Sequence, residues 1–210
     1  VEYQRGWAER WPLGLEEGGF DAIGFVGQHA RARTPFANMA HTQSYRYLEL
    51  SINGTAIGEL GQFVLCAGQL GVRAIFAAGD QALTAEAGAL VPGIEAVAVK
   101  RGLRPGRGDE CTTEEYQRRN GSAVHLPPQR ARAAIREAAQ RAVRRALAEP
   151  FGIVRLSAPY RRVTVIRPGE AGPGGFDIAE HPTDIAALMN LPLELQPLAH
   201  EGQLGELLVD

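Results

Sequence analysis

Two histidines and a glutamate in the first third of the sequence have side chains that could bind a metal ion. They are His29, His41 and Glu59. Imidazole nitrogens and carboxylate oxygens together suit zinc, manganese and similar cations. On spacing alone the assignment is weak, because a His–Glu pair is more often a hydrogen-bonded structural pair than a metal site.

The elements predicted around these residues bring them toward one ligand-binding edge. His29 directly follows residues 21–27, a short apolar run ending in glycine, which predicts a buried strand. In α/β sheets, ligands bind in the crevice at the carboxyl ends of the strands. Residues 28–41 form a predicted loop that carries both histidines. Apolar residues recur at helical spacing over 57–70, so Glu59 falls in the first turn of a predicted helix.

The remaining pattern alternates short apolar strands with helices. Strands are predicted at 45–52, 73–78 and 94–99, and a helix at 81–90. Asn53-Gly54 predicts a hairpin turn, because both central positions of such a turn need positive φ. This alternation predicts an α/β fold with a largely parallel sheet flanked by helices.

The second half of the chain is predicted to be more irregular. Residues 101–121 lack apolar periodicity and are predicted to form an exposed insertion. Pro127 and Pro128 open a helix that ends near Glu149, since proline is tolerated in a first helical turn. We expect two units: an α/β metal-binding core over 1–150, lacking an N-terminal strand segment, and a smaller C-terminal α+β lobe over 151–210. The elements expected in the lobe are strands at 153–156 and 163–166, a loop at 168–175 and a helix at 183–191.

Composition narrows the classes of partner. Hydrophobic residues make up 45% and charged residues 22% of the chain, which is typical of a globular protein. The formal net charge of -2 gives no electrostatic reason to expect nucleic acid or an anionic membrane. We find no apolar run long enough for a transmembrane helix and no signal-peptide pattern, so a cytoplasmic location is expected. Cys66 is predicted to be buried, and Cys111 lies in a polar stretch.

A series of short motifs follows the predicted elements from the first strand to the long helix. The motifs are Gly27-Gln-His-Ala-Arg-Ala32, Thr34-Pro35, Ala40-His41-Thr42, Ile52-Asn-Gly54, Gly58-Glu59, Ala78-Gly79-Asp80, Val97-Ala-Val-Lys100, Ser122-Ala-Val124 and Leu126-Pro127-Pro128. In order and spacing, this series resembles the zinc-dependent D-aminopeptidase family of the bacterial dipeptide operon. The resemblance covers roughly residues 19 to 148.

The resemblance implies a bacterial zinc aminopeptidase that releases D-amino acids from short peptides such as D-Ala-D-Ala. Such enzymes have an α/β fold and assemble into rings, so we expect a ring-shaped homo-oligomer with two zinc ions per complete site. Carried over by motif, His29 and Glu59 are zinc ligands, and His41 is the nucleophile or catalytic base. The metal would polarise the scissile carbonyl and lower the pKa of bound water.

Three further residues are candidate substrate-binding groups. Lys100 is the single lysine in a chain that otherwise uses arginine. A compact ammonium there would hold a substrate carboxylate or tune the site, or its presence is accidental. Asp80 either orients a ligand or caps the following helix. Asn38 lies between the two histidines, in a loop one residue longer than the family pattern. His125, His181 and His200 match no family ligand and are predicted to be structural or exposed.

The family's other zinc ligands have no match before His29. They are an Asp-x-Glu after the first strand and a further histidine. A catalytic zinc needs about three protein ligands, so three explanations stay open. A missing N-terminal segment is favoured by the start at Val1. A separate chain supplying the ligands is the second, and a non-catalytic binding or assembly subunit is the third. An amide hydrolase of different specificity would share the same metal site.

Overall fold

The computed structural model describes residues 10–12, 14–200 and 202–209, and it contains two sheets with helices packed between and around them. Eight strands and six α-helices occur in the described part of the chain. The strands are β1 (Ala22–Gln28), β2 (Tyr47–Ile52), β3 (Thr55–Ala56), β4 (Arg73–Asp80), β5 (Glu95–Gly102), β6 (Ala123–His125), β7 (Tyr160–Ile166) and β8 (Gly175–His181). The helices are α1 (Glu59–Leu70), α2 (Gln81–Leu90), α3 (Thr113–Arg119), α4 (Pro128–Ala148), α5 (Ile185–Asn190) and α6 (Gln203–Leu207).

The first sheet has the order β1-β4-β5-β6 and positions the predicted site. β1, β4 and β5 are parallel, and only β6 runs antiparallel. Parallel strands end at the same edge. His29, just after β1, and Asp80, the last residue of β4, lie at this edge, and Lys100 lies near it, two residues before the end of β5. The predicted α/β class with a largely parallel sheet is confirmed.

Helices cover both faces of the first sheet because its central strand is apolar on both sides. Ala74 and Ala77 of β4 pack with Leu60 and Leu83, which belong to α1 and α2. The opposite face packs against α4. The side chains in that cluster include Ile75, Phe76, Ala78, Ala138 and Ala142.

The second sheet is antiparallel throughout, with the order β3-β2-β7-β8. It packs on the far side of α1, where Leu65 and Cys66 contact Leu50 and Leu188. The predicted hairpin turn is confirmed, because Asn53 and Gly54 have φ of 48° and 75° between β2 and β3. The second sheet takes strands from both sides of residue 150, and the division into units at that residue stays a prediction.

Two predictions about local structure are wrong. Residues 101–121 are not a featureless exposed insertion, since they contain α3, on which Tyr116 is 1% exposed. Thr112 and Glu115 begin α3 with a capping box. Residues 153–156 join neither sheet. Their backbone crosses α1 at Gly68, where an added Cβ would lie 1.9 Å from the carbonyl oxygen of Val154.

Cys66 lies in the protein interior, as predicted from the sequence. Cys66 is 1% exposed, and burial raises the pKa of its thiol to about 12, so it packs as a small apolar side chain. In the described part of the chain, each helix is too short or too polar to cross a membrane.

Candidate metal centre

The fold brings His29, His41 and Glu59 together. His29 follows the last residue of β1, His41 lies in the loop after it, and Glu59 is the first residue of α1. One potential ligand atom from each side chain lies within 4.8 Å of the other two. Two nitrogens and one carboxylate oxygen at this spacing form a donor set that suits zinc.

Each histidine has one ring nitrogen fixed by a neighbouring backbone carbonyl. Nδ1 of His29 lies 3.1 Å from the oxygen of Ala30, and Nδ1 of His41 lies 2.7 Å from the oxygen of Met39. A ring nitrogen facing a carbonyl oxygen must carry the proton and donate it. This leaves each Nε2 as a lone-pair donor, which is the usual arrangement of histidines that bind metal.

Glu59 is incompletely satisfied by protein groups. Its Oε1 accepts a 2.6 Å hydrogen bond from the backbone N–H of Gln43 and lies 3.8 Å from Nε2 of His41. Its Oε2 is buried and has no hydrogen-bond partner among the residues the structure describes. A buried carboxylate oxygen without a partner is costly. A cation at this point would remove that cost, so the residues present fit a zinc ion.

Electrostatics favour the metal-binding form of His29. Burial is the largest influence and lowers the pKa of the imidazole. Glu59 acts in the opposite direction, while His41 and Lys100 lower the pKa further. The result is a neutral imidazole at physiological pH, and only neutral imidazole can bind a metal ion.

Asp80 and Asn38 support the loop that carries the histidines. Asp80 is fully buried, and its Oδ1 accepts from the backbone N–H of Ala82, so the helix-capping alternative is confirmed. Its Oδ2 accepts from the backbone N–H of Asn38 at 2.9 Å. The side-chain amide of Asn38 donates to the carbonyl of Asn120 at 3.3 Å. These contacts favour a positioning role for both residues over direct contact with a substrate.

Lys100 lies beside the centre on β5. In the sheet register it is paired with Asp80 on one side and His125 on the other. It is half-buried and lines a cavity of about 200 Å³ together with Gln81 and Leu126. Contact of Lys100 with a substrate stays a prediction. His125 itself is exposed, as expected for a histidine without a ligand role.

The sequence reasoning missed two residues that hold the centre. Gln43 fixes Glu59 through its backbone, as described above. Glu86 of α2 accepts a 2.8 Å hydrogen bond from the backbone N–H of Arg31, two residues after His29. Burial raises the pKa of Glu86 to about 7. In the sequence, the sign of a special role for Glu86 was that it is an isolated carboxylate in a predicted helix otherwise rich in alanine.

Comparison with known proteins agrees with this geometry. A family profile described as D-aminopeptidase matches residues 11–171 of the chain. The chain therefore belongs to the D-aminopeptidase family. The motif resemblance found in the sequence is thereby confirmed.

A curated sequence and a solved structure, both from Bacillus subtilis, are similar to the chain. A D-aminopeptidase of strain 168 is 38% identical over 77 residues, which are 37% of this chain and 28% of the relative. The solved structure of the Zn-dependent D-aminopeptidase DppA, described as a self-compartmentalizing protease, superimposes with a TM-score of 0.63 at 19% identity. That match covers 80% of this chain and 59% of DppA, and it shows a shared fold. The matched regions cover 28% of the first protein and 59% of the second, so the chain spans less than two thirds of the length of each.

Proposed function

We propose that the protein is a zinc-dependent aminopeptidase that hydrolyses short peptides with an N-terminal D-amino acid, such as D-Ala-D-Ala. The observation that carries the proposal is the convergence of His29, His41 and Glu59 at the carboxyl edge of the parallel sheet. Because the chain belongs to the D-aminopeptidase family, peptide hydrolysis is the proposed type of reaction. The substrate class follows from the sequence resemblance and from the activity named for the relatives.

In this proposal His29 and Glu59 bind metal, and His41 performs the chemistry. Zinc, when bound, would polarise the scissile carbonyl and lower the pKa of a bound water. His41 lies close enough to Glu59 to move a proton beside the metal or to attack the carbonyl carbon. Its fixed Nδ1 proton leaves Nε2 as the basic, nucleophilic atom.

The complete centre is proposed to hold two zinc ions. Two ions need more donors than His29 and Glu59 provide. We propose that the other ligands come from a preceding segment of the natural protein or from a separate chain. Assembly into a ring of identical subunits and a cytoplasmic location belong to the same proposal. The relative DppA is described as self-compartmentalizing, which supports the ring.

The test is hydrolysis of D-Ala-D-Ala and L-Ala-L-Ala by the natural full-length protein, with and without zinc. We expect zinc-dependent release of D-alanine, its loss on treatment with EDTA, and its return when zinc is restored. Hydrolysis of the L-peptide alone would indicate an amide hydrolase of different specificity. Binding of zinc without hydrolysis of either peptide, or absence of both, would support the non-catalytic subunit instead.

A further inference from the structure

A strained turn directly follows His41 in the chain. The backbone N–H of Ser44 donates to the carbonyl oxygen of Thr42 at 2.6 Å, and Gln43 between them has a φ of 61°. A three-residue turn with positive φ at its centre is a rare and strained kind of γ-turn. Glycine adopts such a φ without cost, whereas a residue with a side chain does not. Gln43 at this position therefore requires interactions that compensate for the strain.

The backbone and the side chain of Gln43 both bond to α1. The backbone N–H donates to Oε1 of Glu59 at 2.6 Å, and the side-chain amide donates to Oε1 of Gln62 at 2.8 Å. Glu59 and Gln62 are three residues apart on the helix, so they lie on the same face. The strained turn is thus attached to α1 at two points, and one of them is a proposed metal ligand.

The surroundings of the turn are fixed, while Gln43 itself is exposed. Gln62 is 1% exposed and packs inside the protein. Thr42, before the turn, is also 1% exposed, and its hydroxyl accepts from the backbone N–H of Ala32 at 3.2 Å. After the turn, the carbonyl oxygen of Ser44 accepts from a backbone N–H of β2 at 3.2 Å. The two hydrogen bonds to α1 are therefore what oppose relaxation of Gln43 to a negative φ.

Relaxation of the turn would release one oxygen of Glu59. Because the chain on both sides is fixed, a change of φ at Gln43 has to be compensated by rotation of the neighbouring peptide planes. The plane between Thr42 and Gln43 carries the N–H that binds Oε1 of Glu59. While this N–H occupies Oε1, Oε2 is the oxygen without a partner among the described residues. The turn thus determines how the carboxylate is oriented.

We propose that Gln43 is a positioning residue for the metal ligand Glu59, and that its side-chain bond to Gln62 holds the strained turn in the required conformation. The inference rests on the metal centre of the proposed function. An outer hydrogen bond commonly orients a metal ligand, and its loss typically weakens metal binding roughly ten- to hundredfold. Strain of this kind persists where the surrounding structure enforces it, and Gln62 is the residue that does so here.

The test compares Gln43→Ala with Gln43→Gly in the natural full-length protein. Both variants lose the side chain that bonds to Gln62, and both keep the backbone N–H. They differ in the cost of a positive φ, which alanine bears and glycine does not. Competition with a chelator measures zinc affinity at the site that Glu59→Gln removes. We expect Gln43→Ala to bind zinc roughly tenfold more weakly than wild type, and Gln43→Gly to stay within about threefold.

Gln62→Leu removes the same hydrogen bond from the other side. It replaces a buried amide, whose Nε2 has no partner among the described residues, with an apolar side chain of similar size. The zinc-free protein should therefore unfold at the same temperature or a higher one. Zinc binding should nonetheless weaken as much as in Gln43→Ala. The two changes together should be no worse than either alone, because they remove one bond.

Two further variants complete the comparison. Adding Gln43→Gly to Gln62→Leu should restore zinc affinity, since glycine keeps the turn without the bond. Gln129→Leu, in the exposed first turn of α4, is the matched control and should bind zinc like wild type. Thermal unfolding without zinc shows whether each variant folds. A general loss of structure would lower this stability and the zinc affinity together, which the expected results for Gln62→Leu separate.

Equal zinc affinities of Gln43→Ala and Gln43→Gly would overturn the inference, because the strained φ would then not matter for Glu59. Normal zinc binding by Gln62→Leu, or absence of zinc from the wild-type protein, would overturn it as well. The proposed function fails by a separate result. If wild type binds zinc and hydrolyses no peptide, the peptidase assignment falls and the affinity comparison still decides the role of Gln43. If hydrolysis depends on zinc but the two variants bind it equally, the function stands and the positioning role falls.

Discussion

The imidazole rings of His29 and His41 are stacked, with centroids 3.8 Å apart and 23° between their planes. Two imidazolium ions at this separation would repel each other, and His41 correspondingly lowers the pKa of His29. The stack therefore favours a neutral His29 ring. Beside the stack, Oε2 of Glu59 is a buried carboxylate oxygen without a hydrogen-bond partner among the described residues. A positive charge next to it would stabilise it. A divalent cation satisfies both requirements.

Zinc should accordingly stabilise the fold. At a free zinc concentration about 100 times Kd, binding to the native state contributes about 2.7 kcal/mol. For a chain of this size we expect the unfolding midpoint to rise by roughly 5 to 10 °C. Scanning calorimetry with zinc and with EDTA measures the shift. Glu59→Gln, which keeps an acceptor for Gln43, should lose most of it. An equal shift in this variant would mean that zinc binds elsewhere.

Gly79 is required where β4 passes the end of β1. A Cβ at this position would lie 2.0 Å from the carbonyl oxygen of Gln28, the residue before His29. Gly79→Ala should force β1 away from β4, cost roughly 1 to 3 kcal/mol of unfolding free energy and weaken zinc binding. Urea unfolding and zinc titration measure the two effects.

The control for that substitution is Gly88→Ala, in the interior of α2. Here an added Cβ meets no atom within 4 Å. Alanine has the higher helix propensity, so this variant should gain about 0.5 to 1 kcal/mol and bind zinc normally. If Gly79→Ala proved as harmless as Gly88→Ala, the close approach of the two strands would not position His29.

Glu86 should make stability depend on pH. Its pKa in the folded protein is about 7, above its ordinary value of 4.5. The folded state therefore holds the proton more tightly, and the resulting stability is lost as pH rises from about 4.5 through 7. Glu86 lines an open cavity of about 410 Å³ together with Ala82 and Leu90, so solvent reaches its carboxyl group. The loss is therefore on the order of 1 to 2 kcal/mol.

The variant that checks this is Glu86→Gln, whose amide oxygen still accepts from the backbone N–H of Arg31. Compared with wild type, it should be relatively more stable at pH 8 than at pH 5. Unfolding free energies from urea titrations at the two pH values give the comparison. If the unfolding free energies of wild type and variant change in parallel with pH, groups other than Glu86 cause the dependence.

Local signals in the sequence predicted the parts of the site that local structure determines. The apolar run before His29 predicted its strand, helical spacing placed Glu59 in a first turn, and Asn53-Gly54 predicted the hairpin. In each case neighbouring residues decide the backbone conformation.

Long-range contacts account for what the sequence could not show. Arg31 and Glu86 are 55 residues apart, and Asn38 and Asp80 are 42 residues apart. Residues 153–156 were predicted to form a strand because three of their four side chains are apolar. Val154 and Leu156 instead pack in the cluster that contains Leu65 and Cys66 of α1, and the segment joins neither sheet. Such partners depend on the packing of distant elements, which periodicity does not report.

The most direct test of the metal centre compares His41→Ala with His29→Ala in the natural full-length protein. Zinc content by atomic spectrometry and hydrolysis of D-Ala-D-Ala are measured on the same preparations. We expect His41→Ala to retain nearly the wild-type zinc content with activity reduced by a factor of about 100 or more, and His29→Ala to lose both zinc and activity. Near-normal hydrolysis by His41→Ala would contradict the catalytic role of His41, and loss of its zinc would make His41 a ligand instead.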